Sequence, residues 1–223
     1  MIESHRVASR SSNASRRTLL RAAGGLLASL ALGTAFAQGA PREGIDYTVV
    51  KPAQPTAAAA GKTEVIEFFG YWCPHCNDFE PTMADWAKRN DAKITMLHVP
   101  IAFAPAQAGL QRLYYTLDAL GKEGELRRKV FAAIHDDRSL SPNADTGAMA
   151  DWAAKNGIDK KKFIDTLNSF TVQSKVNRAN QIAQAYGVTG VPMLAIGGKY
   201  LLNVQARTIG NADVFLARAA GEK

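Results

Sequence analysis
Two cysteines in 223 residues, Cys73 and Cys76, are too few for a disulfide-built scaffold, which spreads a larger even set along the chain. Histidine is nearly as scarce, at four. No second cysteine–histidine cluster accompanies the pair, and two ligands fall short of the four that a closed zinc site takes, so no metal is expected. Excess charge is also small. The first 37 residues hold five of the 27 basic and one of the 20 acidic residues, which leaves 22 against 19, or +3. That balance, with no basic stripe carrying interleaved aromatics, removes nucleic acid as a partner. Lys160-Lys161-Lys162 reads as the solvated face of a helix start. Internal repeats are absent, and the alanines at 57–60 are the one low-complexity tract.

What the N-terminus does contain is an address. Arg6, Arg10, Arg16, Arg17 and Arg21 stand against one acid, Glu3, and an uncharged Leu/Ala-rich stretch from Ala22 to Thr34 runs into Ala35-Phe36-Ala37. A basic region, a short apolar region and a small-x-small site make a secretory signal peptide over 1–37, with cleavage between Ala37 and Gln38. The apolar part is too short to span a bilayer comfortably. Ser15-Arg16-Arg17-Thr18-Leu19-Leu20-Arg21 also has the form of a twin-arginine signal, so the export route stays open. The remaining 186 residues suffice for one domain with an insertion or two small ones. In an oxidising compartment a lone Cys-x-x-Cys is a working redox pair rather than a staple.

The pair sits at a turning point. Val65 to Phe69 is apolar on both parities except at Glu67, the pattern of a central strand covered on both faces. After Cys76, Phe79, Met83 and Trp86 follow helical spacing, so a helix runs from Cys76 to about Arg89, with a kink at Pro81. Cys73 therefore lies where a strand yields to a helix N-terminus, whose unpaired N–H groups and positive dipole end favour a thiolate. Glu67, inside that strand, is expected to be desolvated with a raised pKa, placed to tune Cys76 or relay its proton. A purely structural pairing is the competing reading for Glu67. His75 lies inside the reactive turn, whereas His98 and His135 read as structural or surface residues. Trp72 packs either at the redox site or in the core.

Elsewhere, Gln38 to Gly44 reads as a frayed leader, Tyr47–Val50 and Ile94–Val99 as strands, and residues 52–60 as a linker. Helices are marked by Leu110 to Leu120, by Leu126 to Ile134, by Met149 and Trp152, and by Phe163 to Leu167 behind an Asp159 N-cap. A longer one carries Val172, Val176, Ala179, Ala183 and Tyr186 on one face. Met193–Ile196 and Lys199–Leu202 form a hairpin about Gly197-Gly198, and a last helix near Ala212–Ala219 packs Val214 and Phe215. Val191-Pro192, a proline entering a strand, is a candidate cis peptide.

Phe68-Phe69-Gly70-Tyr71-Trp72-Cys73-Pro74-His75-Cys76, the helical insertion, Gly190-Val191-Pro192 and Gly198-Lys199-Tyr200 together resemble the DsbA family of periplasmic thiol:disulfide oxidoreductases, from about Tyr47 to Leu216. The resemblance implies an α/β, thioredoxin-like fold with an inserted α-helical subdomain. Residues 38–103 and 171–223 would form the discontinuous thioredoxin-like domain, and 104–170 the insert. It implies that Cys73 is the exposed nucleophile and Cys76 its buried partner. Pro74 and His75 would be the active-turn residues between them, and Val191-Pro192 the loop against which substrate lies. It further implies a periplasmic, monomeric enzyme without organic cofactor. Such an enzyme gives its Cys73–Cys76 disulfide to reduced exported proteins and is reoxidised by a membrane, quinone-linked DsbB-type oxidase. A thioredoxin-fold isomerase or reductase, or a non-catalytic thioredoxin-fold binding module, is the alternative. The stretch from Gln38 to Thr63 is too short for the dimerisation domain of a DsbC-type isomerase.

Overall fold
The computed structural model describes residues 40–203 and 208–222; the predicted signal peptide and its Ala37–Gln38 cleavage site lie outside them. Strand β2 (Thr63–Phe69) is buried at all seven positions, as its doubly apolar sequence predicts. It pairs in parallel with β3 (Ile94–Pro100) on one side and antiparallel with β4 (Met193–Ile196) on the other. Strands β5 (Tyr200–Asn203) and β1 (Tyr47–Val49) extend the sheet antiparallel, giving the order β1-β5-β4-β2-β3. The β4–β5 hairpin turns through Gly197 and Gly198 at φ of 61° and 73°, where side chains fit poorly. At Gly198 a Cβ would also meet the Gln54 carbonyl oxygen at 2.2 Å.

Helix α1 (Pro74–Arg89) follows β2 and runs continuously through Pro81. It begins two residues earlier than the apolar spacing suggests, because Pro at the first helical position supplies a helical φ and needs no N–H partner. Between β3 and β4 come α2 (Ala108–Ala119), α3 (Glu123–His135), α4 (Thr146–Lys155), α5 (Lys160–Leu167) and α6 (Phe170–Tyr186). Asp145, Asp159 and Ser169 cap the last three, their side chains accepting from the N–H groups of Ala148, Lys162 and Val172. Helix α7 (Thr208–Gly221) is longer than its apolar spacing marks.

Two apolar clusters flank the sheet. Ile66, Phe68, Ala195 and Leu201 pack with residues of α2 to α6, and Val65, Leu194 and Ile196 pack with Met83 and Trp86 of α1 and Phe215 of α7. Val214 points away, 43% exposed, because only its neighbour Phe215 lies on the inward stripe of α7. Residues 41–47 are more ordered than a leader: Arg42 N–H donates to Asp46 at 2.8 Å and Gly44 N–H to the Tyr47 carbonyl at 2.7 Å. Among the described residues no helix is long and apolar enough to cross a membrane.

Candidate active site
Strand β2 ends at Phe69, the chain turns through Gly70-Tyr71-Trp72, and Cys73 becomes the N-cap of α1 with an extended backbone at φ −91° and ψ 119°. The turn is tight. A Cβ on Gly70 would lie 2.5 Å from the Trp72 Nε1, so glycine is required for Trp72 to fold back, donate to the Ile101 carbonyl at 2.9 Å and meet Phe103 edge-on. Helix N-caps ordinarily carry an oxygen that accepts from the first-turn N–H groups. Here the residue is a cysteine, and those groups act on sulfur.

The two cysteines, both thiols in the structure, are pushed in opposite directions. Cys73 is lowered from 9.0 to about 6. The Cys76 thiol hydrogen bond to its sulfur is the largest cause; burial opposes it, and the Cys76 and His75 N–H groups and the His75 charge add to the lowering. Cys76 is driven far up, first by burial and then by its bond to Cys73. Cys73 was expected to be exposed, yet only 4% of its surface is open, against none of Cys76. The cause lies 118 residues away: Val191 and Pro192, joined by a cis peptide, bring the Val191 carbonyl oxygen to 3.5 Å from the Cys73 Sγ. Pro74 and His75 are exposed beside it. The one reachable sulfur is thus the one that ionises.

Glu67 departs from expectation in one respect. It is fully buried, but its carboxyl is lowered rather than raised. Burial does push it up, and the Arg127 charge and the bond and charge of His98 more than offset that. Glu67 Oε2 accepts from Arg127 at 2.9 Å and lies 2.8 Å from His98 Nδ1. Arg127 also donates to Glu80 at 2.8 Å, reaches Glu123 at 3.4 Å, and lies 4.0 Å over the Phe69 ring. One guanidinium therefore serves three carboxylates behind the cysteine pair. Sequence reading missed Arg127, although a signal was present. Arg127, Val130, Phe131 and Ile134 share the inward stripe of α3, and a charge within an apolar stripe needs a buried partner. His135, predicted structural, has its Nε2 2.8 Å from the Tyr71 carbonyl and so secures the turn before Cys73.

Among the described residues no group of three or more His, Cys, Asp or Glu is placed to hold a metal ion. What the arrangement can do is thiol–disulfide exchange: an accessible, readily ionised sulfur and a buried, protonated one, close enough to bond.

Comparison with known proteins agrees. Residues 64–219 match the family model of the DSBA-like thioredoxin domain. The thiol:disulfide interchange protein DsbA of Burkholderia cepacia is 43% identical over 180 residues, covering 78% of this chain and 83% of that protein. DsbA of Pseudomonas aeruginosa is 34% identical over 210 residues, covering 89% and 98%. Among solved structures, the oxidoreductase DsbA of Xylella fastidiosa superposes with a TM-score of 0.78 at 28% identity, over 82% of this chain and all of that one. Its thioredoxin-like fold, its paired cysteines of opposite acidity and these relatives lead to one conclusion: the chain belongs to the DsbA-like thioredoxin-domain family and is a thiol:disulfide oxidoreductase.

Proposed function
We propose that this enzyme is the donor, in the periplasm, of its Cys73–Cys76 disulfide to newly exported proteins. A substrate thiolate attacks the Cys73 sulfur, the S–S bond breaks, and its electron pair leaves on Cys76. The substrate is then held in a mixed disulfide at Cys73, its backbone extended against Val191-Pro192. A second substrate thiolate attacks the substrate sulfur of that bond, and Cys73 departs as a stabilised thiolate. A membrane, quinone-linked oxidase of the DsbB type removes the two electrons and restores the disulfide. Glu67 relays the Cys76 proton, directly or through a water, while Pro74 and His75 shape and charge the turn. Trp72 and the half-exposed Phe103 offer the substrate an apolar surface. In this reading residues 38–103 and 171–223 form the thioredoxin-like part of a monomer, and 104–170 the inserted helical part. Export follows from the signal peptide at 1–37.

The observation that carries the reading is the placement of Cys73: at the start of α1, under the Val191 carbonyl, and the one sulfur of the pair with any exposed surface. The test is oxidation of a reduced two-cysteine peptide by the protein without residues 1–37, beside Cys73→Ser. Stoichiometric oxidation lost in Cys73→Ser is the expected result. Oxidation that survives the substitution removes Cys73 from the role, and no oxidation by the unsubstituted protein leaves a non-catalytic binding module.

A further inference from the structure
The Cys76 sulfur must take up a proton each time it leaves the disulfide and give one up each time the disulfide is remade. Yet it has no exposed surface, so water cannot serve it directly. Behind it, Glu67 has one oxygen engaged and one idle. Oε2 holds His98 and Arg127, whereas Oε1 is buried without any hydrogen-bond partner. His98 is the one member of this group near an opening. A quarter of its side chain is exposed, and it lines a cleft of about 460 Å³ between β3, α2 and α6.

We infer that this cleft is the port through which the Cys76 proton is exchanged with solvent, and that His98 is the carrier at its floor. The inference rests on the Glu67 relay proposed above. An ionised carboxylate only accepts, so Nδ1 of His98 bears hydrogen and Nε2 is free of any protein hydrogen bond. When the disulfide opens, a proton from cleft water binds Nε2, the Nδ1 proton passes to Glu67, and Glu67 delivers it to the Cys76 sulfur. When the disulfide is remade, Cys76 returns a proton to Glu67, Glu67 to Nδ1, and Nε2 releases one to the cleft. Each pass moves one proton and leaves histidine neutral. Arg127, which holds its own proton tightly, keeps the resting Glu67 ionised and ready to accept.

The groups facing this route from each packed element are Glu67 on β2, Arg127 and Glu123 on α3, Tyr114, Tyr115 and Asp118 on α2, and Lys175 and Arg178 on α6. Glu123 is tied to Arg127 and Lys175 to Asp118, so His98 is the group there whose ordinary pKa lies near neutrality.

The test uses the protein carrying glutathione in a mixed disulfide on Cys73, and follows glutathione release by Cys76 from pH 5 to 9. The variants are Glu67→Gln, His98→Gln and His98→Ala, each checked for an unchanged urea midpoint. Release about tenfold slower at pH 7 in Glu67→Gln and His98→Gln, no further loss in the double variant, and recovery of His98→Ala by added imidazole are the expected results. Slow release in Glu67→Gln with normal release in His98→Gln leaves the relay standing and overturns the port. Slow His98 variants that imidazole does not rescue assign His98 a structural role and also overturn it. Normal release in Glu67→Gln removes the relay itself. Should His98→Ala not fold, the pH profile of His98→Gln decides: a slope matching that of the unsubstituted protein refutes the inference.

Discussion

Reducing the Cys73–Cys76 pair should stabilise the protein relative to its disulfide form, and by an amount that grows with pH. The perturbation is pH itself, applied to both redox forms. In the dithiol form Cys73 is lowered from 9.0 to about 6; in the disulfide form neither sulfur titrates. A group with a depressed folded pKa contributes fully above its unfolded value and loses the contribution as pH falls through its folded value. At about 1.36 kcal/mol per unit, ionisation of Cys73 contributes about 1.4 kcal/mol at pH 7, about 2.7 at pH 8 and about 4 near pH 9. Solvent reaching the sulfur would reduce these figures to about half. Cys76 acts in the opposite sense: its raised pKa keeps it neutral in the folded state, so above pH 9 unfolding gains a thiolate that folding denies. The advantage of the reduced form should therefore be negligible below pH 6, climb between pH 6 and 9, and decline beyond. All other titrating groups cancel between the two forms, and the short loop closed by the disulfide adds a constant. The assay is urea unfolding of reduced and oxidised protein from pH 5 to 10, read by tryptophan fluorescence. At about 30 mV per 1.4 kcal/mol, the pH 7 figure corresponds to roughly 30 mV of oxidising bias from this thiolate. A stability difference flat between pH 6 and 9, or one that favours the disulfide more as pH rises, would refute the reasoning.

Other consequences are open to measurement. Arg127→Met strands the buried Glu67 and Glu80 without their cation and should cost about 3–5 kcal/mol in urea unfolding; a loss under about 1 kcal/mol would show that the charge cluster is not a buried unit. Since Glu67 is held below its ordinary value, its contribution is present above pH 4.5 and fades as pH falls through the lower folded value, so Glu67→Gln should flatten the acid side of the stability profile. His75→Ala should raise the Cys73 pKa, followed by thiolate absorbance, by less than about one unit, because the bond from Cys76 and the backbone N–H groups remain. Asp159→Ala removes the bond to the Lys162 N–H and should cost about 1 kcal/mol, without change in thiol oxidation rate.

The residues themselves determine everything that depends on near neighbours along the chain. A doubly apolar run makes β2, and Pro74 starts a helix with Cys73 as its cap. Gly197-Gly198 turn a hairpin, and Asp159 marks where α5 begins, because strand, cap and turn preferences act over four residues or fewer. The cis peptide at Val191-Pro192 was legible for the same reason. Packing decided the rest. That Glu67 is lowered and not raised follows from Arg127, 60 residues on, which the stacking of α3 on Phe69 carries to the far end of β2. Cys73 is covered because a loop 118 residues away comes down on it. His98, read as an ordinary residue, meets Glu67 because parallel pairing of β2 and β3 sets the two in register. Local sequence selects where a sulfur sits on a helix. Which charges and carbonyls stand near it is a long-range outcome, since burial energies depend on partners that only folding brings together.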